Sequence, residues 1–478
     1  MAAELRRFRI SRRDRVDHPL TWCAAVARLA RGCAAAGVAI GVAIPRWAAH
    51  RYSWESTGVS DAPESLRTGT HSYRGSSRPL GIFASWRLHA YGYTIAALYA
   101  TLLLGLYKSG FWIVDNRRVP VYSDFITPWI AGVQALHGDT APLYDPTEFV
   151  KLQKALIGPK DYFYPNWPYP PTFFFVLVPF AMLPYAYAFV VWDFVTLASC
   201  VAVVYRIVRR LPAIALVLAS PLTAWTLFAG QNALLWASLL GGSLLALERR
   251  PVMAGLLIGC LTYKPQFGIL LPLALAAANQ WRAFASAAVT AALLAGASIA
   301  VFGTTAWEAF PQALLAQNSE VLVSGGHAHT TPDWGYIQTV YGLIRTLRGG
   351  AAAAWLAQGV TAVCVAIIVY LTWRSAMRYQ LKAATLSAAV LIATPYAFAT
   401  DLAAIVIPAA FLASDQIRCG LLKGEQTVMI ALFGASFAIL VAAGSTPLGP
   451  FIMITLLSLI LRRDLSWWEP RPMPAKTR

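Results

Sequence analysis

The stretch "YPPTFFFVLVPFAMLPYAYAFVVW", residues 169–192, contains no charged side chain and is almost entirely apolar. A run of about 18 or more apolar residues is typical of a helix that crosses a membrane. Pro179 and Pro184 interrupt the run, because proline has no backbone N–H with which to continue a helix. We therefore predict a membrane segment over 172–205 that is broken at the two prolines and crosses once or twice.

Similar apolar segments recur through most of the chain. The protein has 478 residues, of which 58% are hydrophobic and only 13% are charged, whereas soluble domains average about 25% charged residues. This composition predicts an all-α polytopic membrane protein with about 10–13 transmembrane helices. The other predicted segments are 88–107, 212–228, 232–247, 252–279 (broken at Pro265), 283–302, 351–373, 384–400, 402–414, 427–444 and 446–461.

The charge and the cysteines exclude some function classes. The formal net charge is +17, but the Lys and Arg residues form short clusters between apolar runs. That distribution fits membrane orientation better than nucleic-acid binding. The six cysteines form no CxxC pair, so we predict neither a disulfide framework nor a zinc site.

The chain divides into three parts by composition. Residues 1–80 form a basic and polar extension, predicted to be disordered or peripheral, with an amphipathic surface helix over 22–44 as the alternative. Residues 81–465 form the transmembrane domain, and 466–478 a short cytoplasmic tail.

The positions of the basic clusters predict which loops face which side. Short cytoplasmic loops are enriched in Lys and Arg, and here the clusters are Arg206/Arg209/Arg210, Arg249/Arg250, Arg282, Arg374/Arg378/Lys382, Arg418/Lys423 and Arg462/Arg463. With these in the cytoplasm, the turns "GQN" (230–232), "YKPQ" (263–266) and "ATD" (399–401) lie outside, as do the two long loops at about 108–171 and 303–350. A miscount at 172–205 or 252–279 would move Gln231 and Lys264 to the other side.

Asp124 is the most conspicuous polar residue on the predicted outer face. It lies in "YSDF" (122–125), directly before the helical pattern "ITPWIAGVQAL". One interpretation is a catalytic carboxylate. The alternative is a helix N-cap, because Asp accepts hydrogen bonds from the first N–H groups of a helix.

Lys264 and Asp401 each interrupt an apolar region. A lysine at membrane depth costs about 3 kcal/mol on insertion scales, so it normally has a partner or a function. Lys264 is interpreted as a phosphate ligand or as a lysine that reaches the interface from a helix end. Asp401 is interpreted as a site carboxylate, a partner of Lys264 or a helix cap.

Amides and histidines complete the set on this face. Gln231 and Asn232 are either substrate ligands or a turn with a helix cap. His327 and His329, in "SGGHAHTTPDWG", are assigned to a loop that binds sugar hydroxyls or phosphate, with a solvated loop as the alternative. They lack a third close ligand, so no metal is predicted. No P-loop or dinucleotide fingerprint is present, so no nucleotide cofactor is predicted.

Five pieces of the sequence, in order, resemble a known family. They are "YSDF…HGDTAPLYDP", the run at 169–192, "GQNALL" (230–235), "AGLLIGCLTYKPQFGILLPLAL" (254–275) and "PYAFATDLAAIVIPAAFL" (395–412). Together they resemble the bacterial polyprenyl-phosphate-mannose-dependent glycosyltransferases of glycosyltransferase family 87, over about residues 88–461. The resemblance implies a GT-C fold with long first and middle periplasmic loops in a bacterial inner membrane.

The resemblance also implies a reaction. A sugar, typically mannose, would pass from a polyprenyl-phosphate donor to a lipid or glycan acceptor on the periplasmic face, with inversion. Asp124 matches the key acidic position of the first outer loop and would act as general base. Lys264 would stabilise the leaving phosphate, followed by Lys108, Arg117, Arg118 and Arg345; Tyr122 is assigned to substrate binding, and no cofactor is implied.

Two other functions stay open at this stage. A transporter or flippase of lipid-linked glycans would have paired half-sequences, and no second copy of "YSDF" or "KPQ" is present. A glycan ligase or polymerase that uses polyprenyl diphosphate donors would rely on arginines and a histidine in a late loop. His327, His329 and Arg345 keep that alternative open.

Overall fold

A computed structural model describes residues 86–158, 164, 166–323, 334–442 and 446–465. These residues form helices, turns and isolated bridges, with no strand among them. The predicted extension (1–80), the predicted tail (466–478) and the pair His327 and His329 lie outside the described residues.

The described residues contain 18 α-helices, which we number in chain order. They are α1 Trp86–Lys108, α2 Ile126–Leu136, α3 Pro146–Ile157, α4 Phe174–Ala181, α5 Tyr185–Val208, α6 Pro212–Leu218, α7 Pro221–Ala229, α8 Ala233–Leu247, α9 Pro251–Cys260, α10 Leu271–Ala277, α11 Trp281–Phe302, α12 Thr305–Asn318, α13 Val340–Thr346, α14 Ala351–Arg374, α15 Tyr379–Ala393, α16 Val406–Cys419, α17 Glu425–Val441 and α18 Gly449–Arg462. Short 3₁₀ turns occur at Ala141–Leu143, Pro171–Phe173, Leu261–Tyr263, Pro265–Phe267, Trp334–Tyr336 and Asp401–Ile405, and a π-helical turn at Ser319–Val323.

The helices confirm an all-α polytopic membrane protein. Five described helical segments are long and apolar enough to cross a membrane: His89–Lys108, Tyr185–Val208, Trp281–Phe302, Ala351–Arg374 and Asp401–Cys419. α6 and α7 are bent by 54° to each other, and together they have the length and composition of a sixth span. Eight shorter apolar helices of 10–17 residues accompany these spans in the described part of the chain.

Two of the predicted segments differ from the described helices in where they break or end. Pro179 lies inside α4, and the chain breaks only at Pro184, which precedes α5. A proline near the middle of a short helix removes one backbone hydrogen bond, and here the helix continues past it. The segment predicted at 384–400 begins earlier and ends at Ala393, because residues 394–400 turn toward Asp401.

The most deeply enclosed helix is α15. Its residues from Leu381 to Ala393 are all buried, as expected for a helix that is apolar on every side and surrounded by other helices. It packs against α14, α16 and α18. In contrast, α5 and α14 expose large apolar side chains such as Phe194 and Leu356, which suits contact with lipid.

Small residues bring α9 and α11 into close contact. A Cβ added at Gly255 would lie 2.4 Å from the Ala283 carbonyl oxygen, and one added at Gly259 would lie 2.4 Å from the Thr290 Cβ. The spacing Gly-xxx-Gly places both glycines on one face, where small side chains let two helix backbones approach. This contact positions α9, and with it the chain that leads to Lys264.

We expect Gly259→Ala to destabilise the protein by about 1–3 kcal/mol, because the added methyl group has no room. The matched control is Gly296→Ala on α11, where an added Cβ meets nothing within 4 Å and alanine favours the helix. Unfolding of both variants in mixed micelles measures the difference. Equal stability of the two variants would contradict this packing.

A charged cluster joins the far ends of the last helices. The Asp415 carboxylate accepts from Arg378 Nε and from Arg463 Nε, both at 2.7 Å, and Arg463 also pairs with Glu425 at 2.5 Å. Asp415, Glu425 and Arg463 are almost fully buried. Asp415 is 14 residues beyond Asp401 along the chain, so this cluster lies about 20 Å from Asp401.

Candidate functional site

Asp124 is positioned by an aromatic anchor on α5. The next residue, Phe125, is 1% exposed and contacts Phe189 with ring centroids 5.1 Å apart. On the other side, the Ser123 hydroxyl hydrogen-bonds the Tyr185 hydroxyl at 2.9 Å. Because both neighbours are fastened to α5, the backbone at Asp124 has little freedom.

The Asp124 carboxylate is held by two donors from distant parts of the chain. The Tyr164 hydroxyl donates to Oδ1, and Gln231 Nε2 donates to Oδ2 at 2.8 Å. The side chain does not cap α2, whose first turn has no side-chain cap. Asp124 is half-buried, so the carboxylate is oriented and remains reachable.

Gly230 brings Gln231 to Asp124. It follows α7 in the left-handed conformation, with φ of +70°, and a Cβ there would lie 2.6 Å from the Phe125 Cβ. Glycine adopts this conformation without steric cost and commonly ends a helix in this way. This close approach places Gln231 beside Asp124.

Asn232 turns its side chain toward a second tyrosine. Its Nδ2 donates to the Tyr169 hydroxyl at 3.0 Å, and α8, which begins next to it, has no side-chain cap. Asn232 is 1% exposed. The buried amide therefore orients Tyr169, and the capping interpretation of Asn232 does not describe its contacts.

Lys264 and Asp401 form a buried ion pair. Lys264 Nζ lies 2.6 Å from Asp401 Oδ1, and the two side chains are 6% and 7% exposed. Lys264 adopts a non-helical conformation between two 3₁₀ turns, as expected for a residue that precedes proline. Asp401 Oδ2 also accepts from the Phe398 N–H at 3.0 Å.

This pairing bears on the predicted role of Lys264. A phosphate that approached the ammonium would compete with Asp401 for it, and little of the ammonium is exposed. The structure thus shows the partner that the sequence offered as one alternative for Asp401. The role of Lys264 as a phosphate ligand stays a prediction.

The charges of the site converge on Tyr169, which lies between α3 and α4. Burial is the main cause that raises the pKa of this phenol; Lys264 and the Asn232 amide lower it, and Asp401 and Asp124 raise it. The Tyr263 hydroxyl, next to Lys264 in the chain, also donates to the Asn232 carbonyl oxygen at 3.4 Å, so the ion pair lies near Asn232 and Tyr169. Tyr169 is therefore a neutral hydrogen-bonding group near neutral pH.

The sequence prediction missed three side chains that support the site: Gln153, Tyr164 and Trp167. Gln153, fully buried on α3, donates to the Tyr164 carbonyl oxygen at 2.6 Å and accepts from the Tyr164 N–H at 3.1 Å. Trp167 is fully buried and contacts Tyr169 with ring centroids 4.8 Å apart. The aromatic and proline residues of "NWPYPP" (166–171) are the only signal in the sequence, and they suit either a membrane-interface belt or one wall of a sugar or polyprenyl pocket.

The structure brings five of the predicted residues together: Asp124, Gln231, Asn232, Lys264 and Asp401. Tyr122 lies beside them, stacked on Tyr164 with ring centroids 5.4 Å apart.

The predicted arginines make other contacts, and Arg345 also donates to the Val323 carbonyl oxygen at 3.5 Å. Arg117 and Arg118 are exposed in a turn that the Asp115 carboxylate stabilises. Arg345 lies over the Trp334 ring, 4.1 Å from its centroid, and donates to the Gly349 carbonyl oxygen. Their role as phosphate ligands stays a prediction.

The described residues contain no group of three or more His, Cys, Asp or Glu side chains that could hold a metal ion. The polar cluster can instead accept a proton at Asp124 and exchange hydrogen bonds at Tyr169, Asn232 and Gln231. Such groups suit a polyhydroxylated ligand and a reaction that needs a base.

Comparison with known proteins finds one family that part of the chain resembles. The model of glycosyltransferase family 87 matches residues 167–395, a range that includes Tyr169, Gln231, Asn232 and Lys264. No curated protein and no solved structure matches the chain. Together with the apolar helices, this match shows a membrane glycosyltransferase whose central part is similar to family 87.

Proposed function

We propose that the protein transfers a sugar, mannose in the first instance, from a polyprenyl-phosphate donor to a lipid or glycan acceptor. The reaction takes place on the periplasmic face of a bacterial inner membrane. The observation that supports it best is the half-buried Asp124 carboxylate, oriented by Tyr164 and Gln231. It lies among apolar helices, where a lipid-linked donor can reach it.

In the proposed mechanism Asp124 is the general base. It takes the proton of an acceptor hydroxyl while that oxygen attacks the anomeric carbon on the face opposite the phosphate. The bond between the anomeric carbon and the phosphate oxygen breaks, and its electron pair leaves with the polyprenyl phosphate. One displacement inverts the anomeric centre.

The neighbouring groups account for orientation and not for the proton transfer itself. Hydrogen bonds from Tyr164 and Gln231 fix the orientation of the Asp124 carboxylate, and its oxygens keep further lone pairs that can accept from the acceptor hydroxyl. General-base catalysis supplies about 10² to 10⁴ in rate. The remaining acceleration comes from holding donor and acceptor together and from stabilising the phosphate.

The topology supports a position on one side of the membrane. The helix that begins at Asp401 ends near Arg418, and α8 begins beside Asn232 and ends near Arg249. Both helices therefore run from the site toward a basic loop. Because basic loops face the cytoplasm, this supports a site on the periplasmic side.

A transfer assay tests the proposed function. Purified protein in nanodiscs would receive labelled polyprenyl phosphomannose and membrane lipid acceptors, with a nucleotide-linked mannose in a parallel reaction. We expect labelled product from the lipid-linked donor only, with an inverted anomeric configuration by NMR. Transfer from the nucleotide sugar alone would contradict the proposal, and transfer only from a polyprenyl diphosphate sugar would support the ligase alternative.

A further inference from the structure

A second carboxylate lies near the site, on a π-helical turn that continues α12. The turn spans Ser319–Val323 and carries Glu320. Such turns insert one extra residue into a helix, which redirects side chains, and they occur often at functional sites. Glu320 is partly exposed and was not singled out by the sequence analysis.

The backbone of this turn is firmly held. Val321 and Leu322 are 1% and 4% exposed, and they pack with Ile337 and Ala354 in a second apolar cluster. The Tyr341 hydroxyl donates to the Leu322 carbonyl oxygen at 2.6 Å. The position of the Glu320 carboxylate therefore follows from packing and does not depend on a loose surface loop.

One hydrogen bond connects Glu320 to the chain segment that holds Asp124. Asn166 Nδ2 donates to Glu320 Oε2 at 2.8 Å. Asn166 is two residues after Tyr164, which donates to Asp124, so the two Cα atoms are at most about 7 Å apart. Tyr164 binds the Asp124 carboxylate and Asn166 binds the Glu320 carboxylate. Both carboxylates are therefore hydrogen-bonded to the same short segment.

Tyr396 gives independent evidence that Glu320 is close to the rest of the site. Its hydroxyl accepts from Gln317 Nε2 at 3.0 Å. The Tyr396 ring packs against Phe398 with ring centroids 5.1 Å apart, and the Phe398 N–H donates to Asp401. Tyr396 therefore connects α12, which leads into the turn with Glu320, to the segment that holds Asp401.

A carboxylate at this position suits a particular kind of ligand. Carboxylate oxygens accept strong hydrogen bonds from neutral hydroxyl groups. The tyrosine and amide groups nearby suit the same kind of ligand. The part of the site at Glu320 thus fits a neutral sugar ring.

We propose that Glu320, held by Asn166, accepts hydrogen bonds from hydroxyl groups of the hexose bound beside Asp124 and thereby sets the sugar preference. This inference rests on the proposed function and names the group that recognises the sugar. The hexose is that of the donor or that of the acceptor, since both bring neutral hydroxyl groups to the site.

The test compares Glu320→Gln with Glu308→Gln, an exposed residue on α12, using donors and acceptors that lack single hydroxyl groups. Wild type is expected to lose about tenfold to hundredfold in kcat/KM with one deoxy sugar, the range for a hydrogen bond to a charged group. With the complete sugar, Glu320→Gln is expected to have a kcat/KM that is already lower than that of wild type by this factor. With the deoxy sugar, its kcat/KM should fall little further. If Glu320→Gln loses the preference among the donor sugars, Glu320 contacts the donor hexose. If it loses the preference among the acceptor sugars, Glu320 contacts the acceptor hexose.

A loss that is equal for all sugars, or no difference from Glu308→Gln, would overturn the proposal. Glu320→Asp is the second variant, because it keeps the charge but shortens the side chain. It is expected to change the sugar preference less than Glu320→Gln does. A sugar preference identical to that of wild type would also count against the role of Glu320. Binding of short-chain alkyl hexosides, measured by saturation-transfer NMR, does not require transfer. We expect Glu320→Gln to weaken this binding about tenfold; unchanged binding overturns the proposal even if the transfer assay itself fails.

Discussion

Asp124→Asn is expected to lower sugar transfer by about 10² to 10⁴-fold, the usual contribution of a general base. Asparagine has nearly the same shape, and its oxygen can accept from Tyr164 or from Gln231, but its NH2 group only donates and it cannot take up a proton. The variant should therefore fold and bind donor as wild type does. The measurement is labelled product over time, with donor binding measured separately by retention on nanodiscs.

Asp139→Asn is the matched control for this prediction. Asp139 lies in the same loop region, is exposed, and its carboxylate makes no hydrogen bond or ion pair in the described part of the chain. It should transfer sugar at the wild-type rate. If Asp124→Asn also transfers at that rate, Asp124 is not the base, and its contacts with Tyr164 and Gln231 serve the structure alone.

The second large effect is expected at the buried ion pair. Lys264→Met leaves Asp401 charged and buried without its cation, which typically costs about 3–5 kcal/mol when one partner of a buried pair is removed. Replacing both residues, with Lys264→Met and Asp401→Leu, removes the uncompensated charge and should recover most of that stability. Denaturant unfolding in mixed micelles compares the single variant, the double variant and wild type.

Lys151→Met controls for the loss of a lysine charge as such. Lys151 pairs with Glu148 at 2.6 Å, but its side chain is 63% exposed, and exposed ion pairs add little stability. We expect no measurable change from it. A double variant as unstable as Lys264→Met would show that uncompensated charge is not the cause.

The same variants separate two roles of Lys264. If the pair only supports the structure, the stable double variant keeps the wild-type KM for the donor. If Lys264 also binds the leaving phosphate, the double variant is stable but has a raised KM and a lowered kcat. The buried position of Lys264 and its pairing with Asp401 favour the first outcome.

Much of the helical architecture could be predicted from the apolar runs. The segments at 88–107, 283–302 and 351–373 correspond closely to single described helices, and 212–228 corresponds to the bent pair α6 and α7. A helix satisfies its own backbone in an apolar environment whatever surrounds it. The breaks were harder to place. Pro179 lies inside α4, whereas Pro184 directly precedes α5. A proline is tolerated at the start of a helix, so its effect depends on its position relative to that start.

The members of the site were partly predictable, but their roles were not. Asp124, Lys264 and Asp401 are conspicuous because charged side chains are costly at membrane depth. Glu320, Asn166 and Gln153 occur in ordinary polar sequence, where nothing distinguishes them from exposed residues. Their significance follows only from contacts with residues far away along the chain.

The sequence alone determined the helical membrane class, the glycosyltransferase resemblance and the set of unusual polar residues, since each depends on local composition or on short motifs. Only the tertiary structure decided that Lys264 is neutralised by Asp401, that Asp124 is held by Tyr164 and Gln231, and which residues link them. These contacts join residues up to 137 positions apart. Side chains so distant in sequence meet only when the helices pack, so no local pattern records which pairs form.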